Sequence, residues 1–390
     1  MARDDRRAKR RWLPLILSGV VGVGALTACG ESGGGNAANG FPSQIHIMVN
    51  NDETGVTGFA GIAINKGIKL AVKQANAAKL FGESTLVMDY QDPAGEAQNA
   101  VRITRTAVSD KKYAAMIGPI RSIEQLPSVP LVQSGKLPTL IPQANAAGLN
   151  AGEYTFLAGA PISGYFGVMK DYLSSIGKKR IAVITDDLPS DVPIGDIAEK
   201  WGGTDGFVVT TRVTVSRDTQ DYTAQVAQIV RSNPEVLVNV VTSAAGAALI
   251  SQARQGGFSG QIIGIEATTS AMLKTAGNAA VGFTFPTRFS PLNQESPSTV
   301  KFVQDFKAEY GEAPDSYCAE GYDTAQWLIK ALQESGNASR ESIQRGLTAV
   351  AAKGFDSAQG ALTFNGREIQ IKATVLQWNG TENVLVNRKQ

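Results

Sequence analysis

Histidine and cysteine are scarce in this chain, and their scarcity limits the chemistry it can perform. Its 390 residues include two cysteines, Cys29 and Cys318, and a single histidine, His46. A disulfide framework is therefore improbable, and any His-based triad or His-rich metal site must centre on one residue. His46 alternates with Ile45 and Ile47 in a strand-like run, and nothing around it indicates such a site.

Charge is also sparse. Charged residues make up 18% of the sequence, and the formal net charge is +2. Six basic and two acidic residues precede Leu13, so the rest of the chain carries a net charge of −2. Binding of nucleic acid depends on neutralising phosphates, and a nearly neutral body without a basic stripe excludes that class. The 43% hydrophobic content is typical of a soluble globular protein, and the length favours two lobes.

The motifs of common enzyme classes are missing as well. We find no Gly-x-Ser-x-Gly elbow, no Gly-x-x-x-x-Gly-Lys phosphate loop and no clustered metal ligands. Asp89, Asp186 and Asp187 lie near predicted strand ends, but none has an evident partner for acid–base catalysis. We predict that the protein is not an enzyme and uses no cofactor or metal, with a secreted enzyme as an alternative.

The N-terminal segment indicates export. After the charged start, residues 13–28 are apolar but short and interrupted by glycine, as in a secretory signal peptide. The segment ends in Leu26-Thr27-Ala28-Cys29-Gly30, which resembles a bacterial lipobox. We expect cleavage after residue 28 and lipidation of Cys29; the alternative is an ordinary signal peptide. The pair Arg10-Arg11 leaves twin-arginine export open.

The segment that follows has the composition of a tether. Residues 30–40 are almost entirely Gly, Ser, Asn and Ala, which cannot bury apolar surface. We predict a lipidated cysteine and tether over residues 29–42, holding a domain at the outer face of the cytoplasmic membrane. Cys318 then has no partner for a disulfide, and we expect it to be a small buried hydrophobic residue.

Short β-branched runs alternate with amphipathic segments from residue 44 onward. Predicted strands cover residues 45–49, 85–88, 114–117, 139–141, 181–185, 208–213, 236–240, 262–264 and 282–285. Predicted helices include residues 62–78, 94–108, 221–231, 244–256 and 298–310. This rhythm predicts an α/β fold with two doubly wound parallel-sheet lobes, whose ligands lie at the carboxyl ends of the strands.

Several stretches point to one family. In chain order they are Thr54-Gly55 and Gly61, Asp89-Tyr90-Gln91-Asp92-Pro93, Ile117-Gly118-Pro119-Ile120-Arg121-Ser122, Leu137-Pro138-Thr139-Leu140-Ile141-Pro142, Asp186-Asp187, Asp221-Tyr222, Asn233-Pro234-Glu235-Val236, Gln252-Ala253-Arg254-Gln255-Gly256-Gly257, Tyr310-Gly311-Glu312-Ala313-Pro314, Tyr317, Gly321-Tyr322-Asp323-Thr324-Ala325 and Gly360-Ala361-Leu362-Thr363-Phe364. Together they span most of residues 44–380 and resemble the branched-chain amino-acid-binding family of periplasmic receptors, which has the type I periplasmic-binding fold.

That resemblance implies crossovers between the lobes and a multi-strand hinge. Residues 43–159 and 287–345 are expected in lobe one, and residues 160–286 and 346–390 in lobe two. It also implies a solute-binding lipoprotein of an ABC importer, monomeric, which holds an amino acid or a related molecule between the lobes and docks on permease subunits. A sensory receptor of the same fold, for amides or organic acids, is the alternative.

In the family, a serine at the position of Ser122 helps to bind the ligand carboxylate. In this chain Ser122 follows a predicted strand and lies at the start of a predicted helix, where free backbone N–H groups favour an anion. Because Ser122-Ile123-Glu124-Gln125 also fits a capping box, Ser122 as a mere helix cap is the alternative. Gln143, Ala144 and Asn145 align with a family segment that supplies a backbone carbonyl and a threonine hydroxyl to the ligand. Asn145 replaces that threonine; the alternative is that it is an ordinary turn residue.

Three further positions align with the family site. Glu266 aligns with the acid that meets the ligand ammonium; the alternatives are an exposed loop acid or a helix N-cap. Tyr317 aligns with an aromatic residue that lines the family pocket; the alternative is ordinary core packing. Two second-lobe tyrosines are missing: Leu188 begins the stretch at one position, and Thr242 replaces the other. These departures weaken the case for leucine, isoleucine or valine, and Arg121 could bind an additional carboxylate or simply be solvated.

Overall fold

The computed structural model describes residues 40–55, 57–143, 148–160, 162–188, 191–266, 269–293 and 296–386. The predicted signal peptide, Cys29, most of the tether, Ala144 and Asn145 lie outside these residues. Within them, no helix is long and apolar enough to cross a membrane.

Fifteen strands lie in the described ranges. In chain order they are β1 (Gln44–Asn50), β2 (Thr85–Gln91), β3 (Tyr113–Ile117), β4 (Thr139–Ile141), β5 (Thr155–Leu157), β6 (Arg180–Asp186), β7 (Val208–Val215), β8 (Val236–Val240), β9 (Gln261–Ile263), β10 (Thr284–Thr287), β11 (Phe355–Ser357), β12 (Gly360–Asn365), β13 (Glu368–Gln370), β14 (Thr374–Trp378) and β15 (Asn383–Leu385). Each of the nine predicted strands overlaps one observed strand, and the strands matched are β1 to β4 and β6 to β10.

Twelve α-helices lie in the same ranges. They are α1 (Gly58–Ala77), α2 (Ala97–Ser109), α3 (Ser122–Ser134), α4 (Ile162–Tyr165), α5 (Val168–Ser175), α6 (Val192–Glu199), α7 (Thr223–Arg231), α8 (Ser243–Gln255), α9 (Ser270–Ala276), α10 (Pro297–Tyr310), α11 (Ser316–Ser335) and α12 (Arg340–Lys353). A short 3-10 helix covers Gly277–Ala280. Ser296 caps the start of α10, and its side chain accepts a hydrogen bond from the Thr299 N–H; Gly311, in the left-handed conformation, caps its end.

The strands form two sheets. One has the order β11-β12-β13-β5-β4-β3-β1-β2, and the other has the order β15-β14-β10-β9-β8-β6-β7. Within them, β2-β1-β3-β4-β5 and β7-β6-β8-β9-β10 are parallel and have the same order. The first sheet is extended at β5 by β13, which pairs parallel to it, and then by the antiparallel pairs with β12 and β11; the second is extended at β10 by the antiparallel strands β14 and β15. The predicted pair of doubly wound sheets is confirmed, and in each parallel part the strand order reverses direction at the first strand, which is where such folds bind ligands.

Helices cover both faces of the first sheet. β1 buries Ile45, Ile47 and Val49 against a core shared with α1 and α11, whereas Met48 faces a second core beside α2 and α3. Successive side chains of β1 therefore point to opposite faces of the sheet, and both faces are buried, as expected for a parallel sheet between helical layers.

Glycines let α1 and α11 pack closely. A side chain on Gly67 would lie 2.0 Å from the Cys318 carbonyl oxygen, and one on Gly321 would lie 2.0 Å from the Ile64 carbonyl oxygen. Cys318 itself is buried in this contact, as predicted. The close approach fixes the start of α11, which carries Tyr317, against lobe-one elements.

The chain passes between the sheets three times, from β5 to α4, from β10 to α10 and from β13 to β14. One difference from the predicted boundaries concerns the last crossing. Residues 355–370 pair with the eight-stranded sheet, and residues 374–385 pair with the seven-stranded one, whereas the prediction placed all of 346–390 in lobe two. These short antiparallel strands have no crossover helices to indicate their sheet; the lobes as whole units stay a prediction.

Candidate functional site

The predicted site residues lie where parallel strands end. Ser122 follows β3 and Gln143 follows β4, which are neighbours in the first sheet. Thr242 follows β8 and Glu266 follows β9, which are neighbours in the second sheet. The carboxyl edge of each sheet therefore carries two of the predicted residues, where doubly wound folds hold their ligands.

Ser122 is the first residue of α3 and not its cap. Arg121 occupies the N-cap position and makes no side-chain capping bond. The Gln125 side chain donates to the backbone oxygens of Pro119 (2.8 Å) and Gln143 (2.5 Å), so no capping box forms and that alternative is wrong. The half-buried Ser122 hydroxyl makes no hydrogen bond to any described residue.

Arg121 is not a freely solvated residue. Its side chain is 29% exposed, and Nη1 donates to the Gly95 carbonyl oxygen at 2.7 Å. The same nitrogen lies 3.7 Å from the carboxylate of Glu124, which is fully buried and accepts no hydrogen bond from any described residue. Burial is the main cause that raises the pKa of Glu124 to about 7.

Gln143 links the predicted site to a carboxylate that the sequence did not indicate. Its Nε2 lies 3.3 Å from Oε2 of Glu320 on α11, while its backbone oxygen accepts from Gln125. Ala144 and Asn145 follow directly and lie outside the described residues, so their proposed roles stay predictions.

Glu266 is buried among donors. Its Oε1 accepts a hydrogen bond from the Thr287 hydroxyl at 2.5 Å, and its Oε2 accepts from the Tyr165 hydroxyl at 3.0 Å. Arg288 Nε also donates to Oε2 at 3.1 Å. A guanidinium of the chain itself therefore pairs with the carboxylate that was predicted to meet a ligand ammonium.

Arg288 joins the two sheets. It follows β10, and its Nη1 donates to Oε1 of Glu320, which projects from α11 on the side of the first sheet. The side chains of Arg288 and Glu320 are 5% and 0% exposed. Burial raises the pKa of Glu320 to about 8, although the charge of Arg288 acts in the opposite direction.

Tyr317 supplies an aromatic wall beside these charges. Its ring packs edge-on against Phe59 on α1, with the ring centroids 5.7 Å apart, and Phe59 is 51% exposed. Burial raises the pKa of Tyr317, and the charges of Glu266 and Arg288 also act on it. The phenol is therefore neutral at physiological pH and adjoins the buried ion pairs.

Thr242 is already engaged within the second sheet. Its hydroxyl donates to a carboxylate oxygen of Asp191, and its N–H donates to Asp186 Oδ2 at 3.2 Å. The position lies at the expected edge, but its hydroxyl is held by Asp191, the N-cap residue of α6, instead of pointing freely at a solute.

Sequence reasoning missed Arg288, Glu320, Tyr165 and Thr287. Glu320 lies one helical turn after Tyr317, so helical spacing alone places the two on one face of α11. Arg288 at the end of β10 offered a weaker signal, because its partners come from distant parts of the chain. Among the described residues, no group of three or more His, Cys, Asp or Glu is arranged to hold a metal.

Comparison with known proteins agrees with this architecture. A family model described as periplasmic binding protein matches residues 44–382. The Leu/Ile/Val-binding protein homolog 2 of Brucella abortus (strain 2308) is 22% identical over 329 residues, covering 83% of this chain and 87% of that protein.

Two solved structures have the same fold. The branched-chain amino acid transporter substrate-binding protein of Streptococcus pneumoniae in complex with isoleucine is 22% identical, covers 88% of this chain and 99% of that one, and superposes with a TM-score of 0.76. A solute-binding protein of an ABC transporter from R. palustris in complex with benzoate is 18% identical, covers 88% and 95%, and has a TM-score of 0.74. The chain therefore belongs to the periplasmic binding protein family, whose members bind solutes and are not enzymes.

Proposed function

We propose that this chain is the extracytoplasmic solute-binding component of an ABC importer and that it holds an amino acid or a related small molecule between its two sheets. The observation that carries the proposal is the meeting of both carboxyl edges. Arg288 from the second sheet donates to Glu266 beside it and to Glu320 on α11, and Glu320 also accepts from Gln143 of the first sheet. Solute-binding proteins of transporters with the same fold, two of which hold isoleucine or benzoate, support import rather than sensing.

The proposed ligand lies with its carboxylate at Ser122 and its cationic end at Glu266. The start of α3 leaves backbone N–H groups without helical partners, and the Ser122 hydroxyl is uncommitted among the described residues. Asn145 and the backbone after Pro142 complete the carboxylate subsite, and Tyr317 with Phe59 packs on the side chain. The Thr242 hydroxyl can bind the ligand only after its hydrogen bond to Asp191 breaks.

Anchoring by Cys29 is the second part of the proposal. The lipobox-like Leu26-Thr27-Ala28-Cys29 and the Gly- and Ser-rich residues that follow support a lipid anchor and tether. Expression of the full chain and of Cys29→Ala in a bacterial host with lipoprotein processing tests it. We expect the wild type in the membrane fraction with a lipid-modified N-terminus, and the variant without lipid; a wild-type protein without lipid would refute the anchor.

Ligand binding is tested by thermal unfolding of residues 41–390 against the common amino acids, amides and small organic acids. A ligand at about a hundred times its dissociation constant adds roughly 2.7 kcal/mol to the free energy of unfolding, which shifts the midpoint by several degrees. A selective shift with one compound supports the receptor function. No shift across the panel would contradict it for these solute classes.

A further inference from the structure

A cavity of about 830 Å³ lies at the amino ends of β1 and β3, on the edge of the first sheet opposite Ser122. Its walls come from the start of β1, the turn before β3, the end of α3 and the loop between α11 and α12. Among the described residues that line it, the lysines, arginines and acids are Lys111, Lys112, Lys136, Arg340 and Glu341. Four positive charges against one negative charge favour an anion in this space.

Arg340 gives the cavity wall a buried positive charge. Its side chain donates to five backbone carbonyl oxygens. Asp110 and Glu341 lie near it, but no carboxylate of the described residues is within ion-pair distance of the guanidinium. Carbonyl groups solvate a guanidinium without cancelling its charge, so the potential in the adjoining space stays positive. The residue also begins α12, and the free N–H groups of a helix start add to that potential.

The three lysines have exposed side chains that an incoming anion can reach. Within the described chain, Lys111 and Lys136 form no ion pair, and Lys112 Nζ lies 3.6 Å from Asp89 Oδ2. That carboxylate is shared, because His46 Nδ1 lies 3.2 Å from the same oxygen. Two of the three ammonium groups are therefore uncommitted, and a lysine ammonium binds phosphate as a point charge.

The cavity also lies where the predicted tether joins the fold. Gly40 lines it, and a side chain on Gly40 would lie 2.9 Å from the Gly336 carbonyl oxygen, so the backbone packs closely on the loop before α12. Residues 30–40 connect this point to Cys29 and can span at most about 40 Å. With Cys29 lipidated as proposed, the cavity therefore remains near the bilayer surface.

We propose that this cavity binds the phosphate group of an anionic phospholipid headgroup in the membrane that holds the anchor. Lys111, Lys112 and Lys136 bind the phosphate oxygens, while Arg340 and the start of α12 supply a fixed positive potential. Because β1 has seven residues, the proposed solute site at the other edge of the sheet lies about 20 Å further from the lipid. Headgroup binding therefore keeps that edge clear of the bilayer and open to solutes.

This inference goes beyond the proposed import function, and vesicle binding tests it without the anchor. All described residues belong to one compact unit, so the chain from residue 30 keeps the fold and the tether but lacks Cys29. We would measure its sedimentation with vesicles of phosphatidylcholine alone and with vesicles that also contain phosphatidylglycerol. We expect binding to the second kind only, and release in about 1 M salt, where the Debye length falls to about 3 Å. Binding to both kinds, or to neither, overturns the proposal.

Two matched triple variants locate the site. The cavity variant carries Lys111→Gln, Lys112→Gln and Lys136→Gln. The control removes the same charge from exposed lysines outside the cavity, through Lys200→Gln, Lys274→Gln and Lys307→Gln. One lysine near an anionic membrane contributes about fivefold in affinity, so we expect a loss of about a hundredfold in the cavity variant and little change in the control. Equal losses would mean that the membrane attracts only the total charge, and they overturn the proposal.

Amine labelling of the full chain needs no substitution, so it decides the matter even if the cavity variant does not fold. The lipidated protein is placed in vesicles of the two compositions, and mass spectrometry gives the modification of each lysine. We expect phosphatidylglycerol to protect Lys111, Lys112 and Lys136 several-fold, with no protection of the three control lysines. Equal modification of the cavity lysines in both kinds of vesicle overturns the proposal.

Glycerol 3-phosphate distinguishes a lipid headgroup from a soluble phosphate ester, since both offer the same phosphate chemistry. We expect weak binding by calorimetry, weaker still in the cavity variant, and displacement of the chain from vesicles at high concentration. Tight binding of glycerol 3-phosphate without binding to vesicles would assign the cavity to a soluble anion and overturn the membrane ligand. Each of these outcomes is independent of solute import, because the proposed solute site lies at the opposite edge of the sheet.

Discussion

The side-chain amide nitrogen of Gln125 lies 2.5 Å from the backbone oxygen of Gln143. The same nitrogen lies 2.8 Å from the backbone oxygen of Pro119, so one buried amide joins the loop after β3 to the loop after β4. These loops carry the proposed carboxylate subsite at Ser122 and Asn145. The subsite therefore depends on a residue that need not touch the solute.

Replacing Gln125 by leucine should loosen that subsite. The change removes the donor for two backbone oxygens, each worth about 1–3 kcal/mol when left unpaired in a buried place. We expect ligand affinity to fall about tenfold and the unfolding midpoint to fall by several degrees. The control Gln228→Leu alters a glutamine on α7 whose side chain, within the described residues, bonds the Thr211 hydroxyl alone, and affinity should not change; an equal loss in both variants would contradict the interpretation.

Ser122→Ala should weaken binding without destabilising the protein. Its hydroxyl caps no helix, so about 0.5 kcal/mol or less of folding stability is at stake, whereas loss of a ligand hydrogen bond costs about tenfold in affinity.

Ser339→Ala is the matched comparison, because the Ser339 side chain accepts from the Ser342 N–H and caps α12. Its loss should cost about 1 kcal/mol of stability and leave affinity unchanged. Thermal unfolding and calorimetry of both variants check the prediction, and the reverse pattern would show that Ser122 is structural.

Arg340 should be one of the most sensitive positions for stability. Its buried guanidinium donates to five backbone oxygens, those of Ala107, Val108, Asp110, Tyr113 and Gly135, and thereby closes the ends of α2 and α3. Arg340→Met leaves these acceptors without the donor, and we expect a loss of about 3–5 kcal/mol. Denaturant unfolding measures it; a loss below about 1 kcal/mol would show that water replaces the guanidinium.

Glu124 should make the protein less stable as the pH rises. Its pKa is about 7 in the folded protein and about 4.5 when solvated, so the folded state binds the proton more tightly. Its contribution is complete below pH 4.5 and is lost as the pH rises through 7. Glu124→Gln has no proton to lose, and we expect it to be more stable than the wild type at pH 8 by on the order of 1–3 kcal/mol.

Urea unfolding at pH 5 and pH 8 checks this expectation, since other buried acids, including Glu320, affect both proteins alike. The difference in stability between the two pH values should be smaller in the variant than in the wild type. An identical difference would mean that Glu124 is ionised in the folded state throughout this range.

The sequence predicted the parallel strands well because each long β-branched run is followed by an amphipathic helix. It missed β5, β11, β13 and β15, which are only three residues long, together with the edge strands β12 and β14. Runs of three residues are not distinguishable from loops by periodicity. It also assigned residues 355–370 to the wrong sheet, since antiparallel edge strands have no crossover helix that fixes their neighbour.

The position of a candidate residue was predictable where the residue directly follows a strand. It was not predictable where the residue acts together with partners from distant parts of the chain. Ser122, Gln143, Thr242 and Glu266 follow strands and lie at the expected edges. The capping-box interpretation failed because α3 begins one residue earlier than the motif requires, which makes Arg121 the N-cap. Arg288 and Glu320 come from different sheets, and only the folded chain shows that they share a charge with Glu266.

The last crossing between the sheets has a consequence for how the protein is made. Strands β11 to β13 finish the first sheet and β14 and β15 finish the second, so both are completed by residues 355–385. A nascent chain that lacks this stretch leaves an open edge on β5 and on β10. During synthesis neither sheet is completed before residues 355–385 have left the ribosome, so each sheet gains its last strand pairs only near the end of translation.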